Sequence, residues 1–61
     1  MATDGNGWTE LTIAEEGFED GSEGFAVATM NHLGLSPLHK GDDVLYDFYI
    51  MGYKRGERFS F

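Results

Sequence analysis

No cysteine occurs in this chain of 61 residues, so whatever it folds into must be held by burial and hydrogen bonding alone. A domain near 60 residues buries only roughly 60% of its unfolded surface, which allows one small domain with a marginal core. Disulfides, thiolate metal sites, cysteine nucleophiles and iron–sulfur clusters are excluded with the cysteines. The longest apolar stretches fall far short of the roughly 18 residues of a membrane span, and no basic region opens a signal peptide. The expected setting is soluble, reducing and cytoplasmic.

Charge is the next constraint. Residues 1–25 hold Asp4, Glu10, Glu15, Glu16, Glu19, Asp20 and Glu23 and no Lys or Arg. The remainder balances Asp42, Asp43, Asp47 and Glu57 against Lys40, Lys54, Arg55 and Arg58. The whole net charge of −7 therefore resides in the first 25 residues. Such self-repulsion opposes compaction, so the segment is either a solvated face or a field directed at a basic partner. Disorder is disfavoured, because aromatics make up 15% of the chain and Trp8, Leu11, Ile13, Phe18 and Phe25 lie within the acidic part itself.

The pattern predicts an α+β fold: a small, curled, partly barrel-like antiparallel sheet with one short helix. Residues 1–7 form a flexible lead-in, 8–25 an acidic strand and turn, 26–34 the helix and 43–61 a C-terminal β-hairpin. Over 8–14, Leu11 and Ile13 alternate with Trp8, Glu10 and Thr12, and the β-branched Thr9, Thr12 and Ile13 weigh against a short helix there. The three glycines of 15–24 read as a turn. Alanines and a Gly34 stop favour a helix ending at Leu33, with Ser22 as an N-cap, over a strand from Phe25. Val44, Tyr46, Phe48 and Ile50 predict a strand, with a helix over 42–51 competing through Val44, Leu45, Phe48 and Met51. A turn at 52–56 then returns the chain as a strand carrying Phe59 and Phe61.

Tested for chemistry, the residues yield no catalytic set. Asp4-Gly5-Asn6-Gly7 resembles the centre of a calcium loop, but Ala2 and Ile13 would fall at its first and twelfth ligand positions. His32 and His39 are seven apart across Pro37 and lack two further ligands at zinc spacing. The pairs Glu15/Glu16, Glu19/Asp20 and Asp42/Asp43 lie beside glycines in expected turns, where water keeps both members ionised. Ser22, Ser36 and Ser60 lack a nucleophile elbow, and no glycine-rich loop leads into a lysine-bearing helix. No enzyme, cofactor or metal is expected. Direct nucleic-acid binding is disfavoured, since four basic residues would work against a net charge of −7.

What remains is protein binding through charge, with the chain a monomer or weak homodimer. Carboxylates on a folded scaffold can stand in for phosphates in a basic groove built for DNA or RNA. The candidate partner-binding residues are Glu10, Glu15, Glu16, Glu19, Asp20 and Glu23, extended by Asp42, Asp43 and Asp47, with Phe18 assigned to the core. In size, lack of cysteine and one-sided acidity from Glu10 to Glu23, the chain resembles the very small acidic phage proteins directed at host nucleoprotein machines. Those include anti-CRISPR proteins that act as DNA mimics. The resemblance implies an inhibitor that occupies the DNA-binding groove of a CRISPR–Cas surveillance complex in the host cytoplasm. The alternative is an accessory or structural protein that dimerises through the aromatic edge at 57–61, its acidity serving solubility. A metal-regulated module using Asp4 and Asn6 is a third.

Overall fold

A computed structural model describes residues 7–60. Among them the regular elements are two helices, α1 over Glu10–Glu23 and α2 over Asp42–Phe59. No strand occurs among the described residues, so the expected antiparallel sheet is overturned. Within 8–25, expected as strand and turn, residues 10–23 form α1, and α2 takes the place of the hairpin expected over 43–61. Asp4, Asn6 and Phe61 lie outside the described residues.

The β-branched residues that argued against a helix at 8–14 are what start it. Thr9 is the N-cap in extended conformation, and its hydroxyl accepts from the Thr12 backbone N–H at 3.2 Å. The Thr12 hydroxyl oxygen in turn accepts from the Thr9 N–H at 2.8 Å, completing a reciprocal cap. The helix stops at Gly24, whose φ of 82° is left-handed. Phe25 N–H then reaches back to the Asp20 carbonyl at 2.9 Å, the closing bond of a Schellman turn.

The helices run parallel. A Cβ on Gly52 would collide with the Ala14 carbonyl oxygen, and one on Gly56 with that of Phe18. Both pairs are offset by the same amount (52 − 14 = 56 − 18 = 38), so the two helices ascend together. Gly17 and Gly21 meet the Tyr49 and Tyr53 carbonyl oxygens in the same way. Two G-x-x-x-G steps, one on each helix, thus bring backbone against backbone, an arrangement best known from helix pairs in membranes. Each helical glycine costs about 0.5–1 kcal/mol in propensity, offset here by contacts that no side chain could make. The glycines expected to break the chain into turns are the packing surface of its helices.

Parallel helices need a long return. The connecting segment leaves α1 at Gly24, runs as irregular chain back along the pair and re-enters at Gly41. Three tyrosines of α2 fasten it. Tyr53 donates to the Phe25 carbonyl at 2.6 Å and Tyr46 to the Ala28 carbonyl at 2.8 Å, while the Tyr49 hydroxyl accepts from the Ala28 N–H at 2.9 Å. Residues 25–29 carry no helix, and of the helix expected over 26–34 only a turn at 30–34 survives. There Gly34 is left-handed at φ 76° and Leu35 N–H bonds to the Met30 carbonyl. At the start of the described chain, the Trp8 indole N–H donates to the Leu33 carbonyl at 2.7 Å.

The core lies between the helix pair and this return segment. It comprises Ile13 from α1, Leu33 and Leu35 from the connection, and Leu45 and Tyr49 from α2. Ile13 and Tyr49 have no exposed surface.

Candidate interaction surface

Folding residues 10–23 as a helix rather than a hairpin tip decides where the carboxylates go. Glu15, Glu19 and Glu23 recur every fourth residue, about 6 Å apart along the axis, and all three are exposed. Glu16 and Asp20 form a second row of the same spacing, half-buried beside the first. The result is one acidic stripe of two turns on the side of α1 turned away from its glycines.

Charge within the stripe is uncompensated. The Glu16 carboxyl is pushed above the usual carboxylate range, first by partial burial and then by Asp20, Glu19 and Glu23. All three charges acting on it have its own sign. Asp20 is tied into the scaffold: its Oδ2 accepts from the buried Tyr49 hydroxyl at 2.6 Å. That bond and burial together push the Tyr49 phenol up to about 12, burial being the larger cause.

The remaining acidic candidates are dispersed. Glu10 is exposed in the first turn of α1, where its charge complements the helix N-terminus. Asp43 and Asp47 are exposed on the side of α2 facing away from Gly52 and Gly56, so they do not extend the α1 stripe. Asp42 is 1% exposed, at the first turn of α2. Its Oδ2 accepts from the Ser36 N–H at 2.7 Å and its Oδ1 has no hydrogen-bond partner. Asp42 thus closes the connection onto α2 from inside and presents nothing to a partner. Phe18 is half-buried, its ring centroid 5.5 Å from that of Phe59 and outside the buried core cluster.

Among the described residues no group of three His, Asp or Glu side chains is arranged to hold a metal ion. The His32 Nδ1 shares a 2.7 Å hydrogen bond with the Thr29 hydroxyl, a local contact within the return segment. No helix among the described residues is long and apolar enough to cross a membrane.

Two features of the site have a plain spacing in the sequence. One is the repeated step of four between Gly17 and Gly21 and between Gly52 and Gly56. The other is the i, i+3, i+7 row of Tyr46, Tyr49 and Tyr53, which is a helical period and not a strand period. The chain matches no protein-family model, no curated protein and no solved structure.

Proposed function

We propose that this chain is a non-enzymatic binding protein that presents the acidic stripe of α1 to a basic groove built for nucleic acid and so blocks DNA binding there. The observation that carries the reading is the geometry of α1, which sets the exposed Glu15, Glu19 and Glu23 in one row with Glu16 and Asp20 beside them. A stripe arranged in this way is destabilising for the free protein and is relieved when arginines or lysines arrive opposite it. The rigid scaffold beneath it favours such docking, because a helix clamped at its glycines loses little further freedom on binding. The working residues are Glu15, Glu16, Glu19 and Glu23, with Asp20 held in place by Tyr49. Asp42 has no part in it.

The resemblance to small phage inhibitors makes the DNA groove of a CRISPR–Cas surveillance complex the first target to try. The experiment is binding to that complex and to a panel of DNA-binding proteins, titrated from low to high salt with competing duplex DNA. Binding should weaken steeply with salt and exclude DNA. It should be lost in the combined Glu15→Gln, Glu19→Gln, Glu23→Gln variant while the helical circular dichroism is unchanged. Binding that persists in that variant removes the stripe as the working surface.

A further inference from the structure

We infer that two copies of this chain associate face to face through the side of the helix pair opposite the return segment. The return segment covers one side only, fastened by Tyr46, Tyr49 and Tyr53. On the other side stand Leu11 from α1 and Val44, Met51 and Phe59 from α2, exposed by 69%, 46%, 48% and 75%. Half-buried Phe18 and Phe48 lie between them. A helix pair of this size does not ordinarily leave so many large apolar side chains together in water.

The spacing along α2 shows what the face suits. Its inner seam of Leu45, Tyr49, Gly52 and Gly56 steps by 4, 3 and 4, and that seam packs on α1. Val44, Phe48, Met51 and Arg55 repeat the same steps one residue earlier. Helix α2 therefore carries two adjacent heptad-like seams, of which one is used within the chain.

Charge at the edges of the face selects a second copy as the occupant, and selects its orientation. The glycine contacts reach 38 positions one way (Ala14 to Gly52, Phe18 to Gly56) and 32 the other (Gly17 to Tyr49, Gly21 to Tyr53), so equal heights on the two helices lie about 35 positions apart. Glu19 and Glu23 of α1 therefore stand at about the heights of Lys54 and Arg58 of α2. A two-fold axis parallel to the helices lays α1 of one copy over α2 of the other. Glu19 and Glu23 then stand opposite Lys54 and Arg58 of the partner subunit along both edges. A two-fold axis across the helices would instead set acidic α1 against acidic α1, which like-charge repulsion disfavours.

Sedimentation equilibrium of the full chain at about 0.15 M salt, where repulsion between distant charges is largely screened, tests the association. The expected species is a dimer of 13.6 kDa, twice the 6.8 kDa chain. Met51→Glu and Leu11→Glu, both at exposed positions, should raise its dissociation constant at least about tenfold without loss of helix signal. A charge swap tests the orientation. Glu19→Lys with Glu23→Lys, and separately Lys54→Glu with Arg58→Glu, should each weaken self-association, and mixing the two variants should restore a dimer through two complementary edges. A monomer at every concentration overturns the proposal and leaves the face to a different partner. A dimer indifferent to Met51→Glu overturns the assignment of the face, and mixing without restoration overturns the orientation. None of these readouts involves a basic groove, so their failure is distinct from failure of the proposed inhibition.

Discussion

The hydroxyl of Tyr49, on α2, donates to the carboxylate of Asp20, on α1, at 2.6 Å while accepting from the Ala28 N–H at 2.9 Å. One phenol thereby joins both helices and the return segment at the centre of the molecule. Tyr49→Phe keeps the ring and leaves the Ala28 N–H without this acceptor, so it should cost about 1–3 kcal/mol in urea unfolding. The phenol has a second signature. Its pKa in the folded protein is raised from 10.0 to about 12, so folding favours the neutral form. That contribution is complete below pH 10 and is lost as pH rises toward about 12. The native protein should lose stability across that window, and Tyr49→Phe should lack this part of the loss.

Gly52→Ala should be far more damaging than its single methyl group suggests. Alanine favours a helix over glycine by about 1 kcal/mol, yet its Cβ would enter the Ala14 carbonyl oxygen, which is backbone and cannot rotate aside. The helices must part, and we expect a net loss of about 3 kcal/mol or more in thermal or urea unfolding. Gly17→Ala should behave alike from the opposite helix. Stability unchanged in both variants would rule out the close parallel pairing.

Lowering the pH should relieve the acidic stripe. The Glu16 pKa is raised above 4.5 in the folded protein, so the folded state favours its protonated form. The associated stability is present below about 4.5 and is lost as pH rises through the elevated folded value. At neutral pH, Glu16→Gln should therefore raise the melting temperature. The advantage over the native protein should vanish near pH 4, where both carry a neutral group.

Asp42 separates a hydrogen bond from a charge. Asp42→Ala removes the acceptor of the Ser36 N–H and the negative charge at the start of α2, for about 1–2 kcal/mol. Asp42→Asn retains an acceptor and should recover most of that loss in chemical unfolding. Equal losses in the two variants would assign the effect to charge at the helix N-terminus.

How much of this was legible in the sequence varies from residue to residue. The acidity of 10–23 and its lack of basic partners were plain, and the stripe is built from those residues. Its shape was not, because Gly17 and Gly21 look alike in sequence whether they permit a turn or a close helix contact. The distinction depends on Gly52 and Gly56, more than 30 positions away. Thr9 and Thr12 misled for a related reason: β-branching disfavours a helix interior, but a cap uses the hydroxyl. Tyr46, Phe48 and Tyr49 satisfied a strand alternation over a short window. Their true grouping shows only when Tyr53 is added, which puts the tyrosines on one side and Phe48 on the other. Gly34, expected as the stop of a helix over 26–34, is left-handed, but it closes a single turn and not a helix.

The parallel sense of the helices also governs how this chain must assemble. An antiparallel pair can zip outward from a short turn, gaining contacts between residues close in sequence. Here each contact of the glycine seam joins positions 32 or 38 apart in a chain of 61, as Gly17 with Tyr49 and Ala14 with Gly52. The entropy of closing that loop is lost before any of the seam is formed. An all-helical chain of this size is ordinarily among the fastest to fold, but this one carries the long-range connectivity of a β protein and should fold correspondingly slowly.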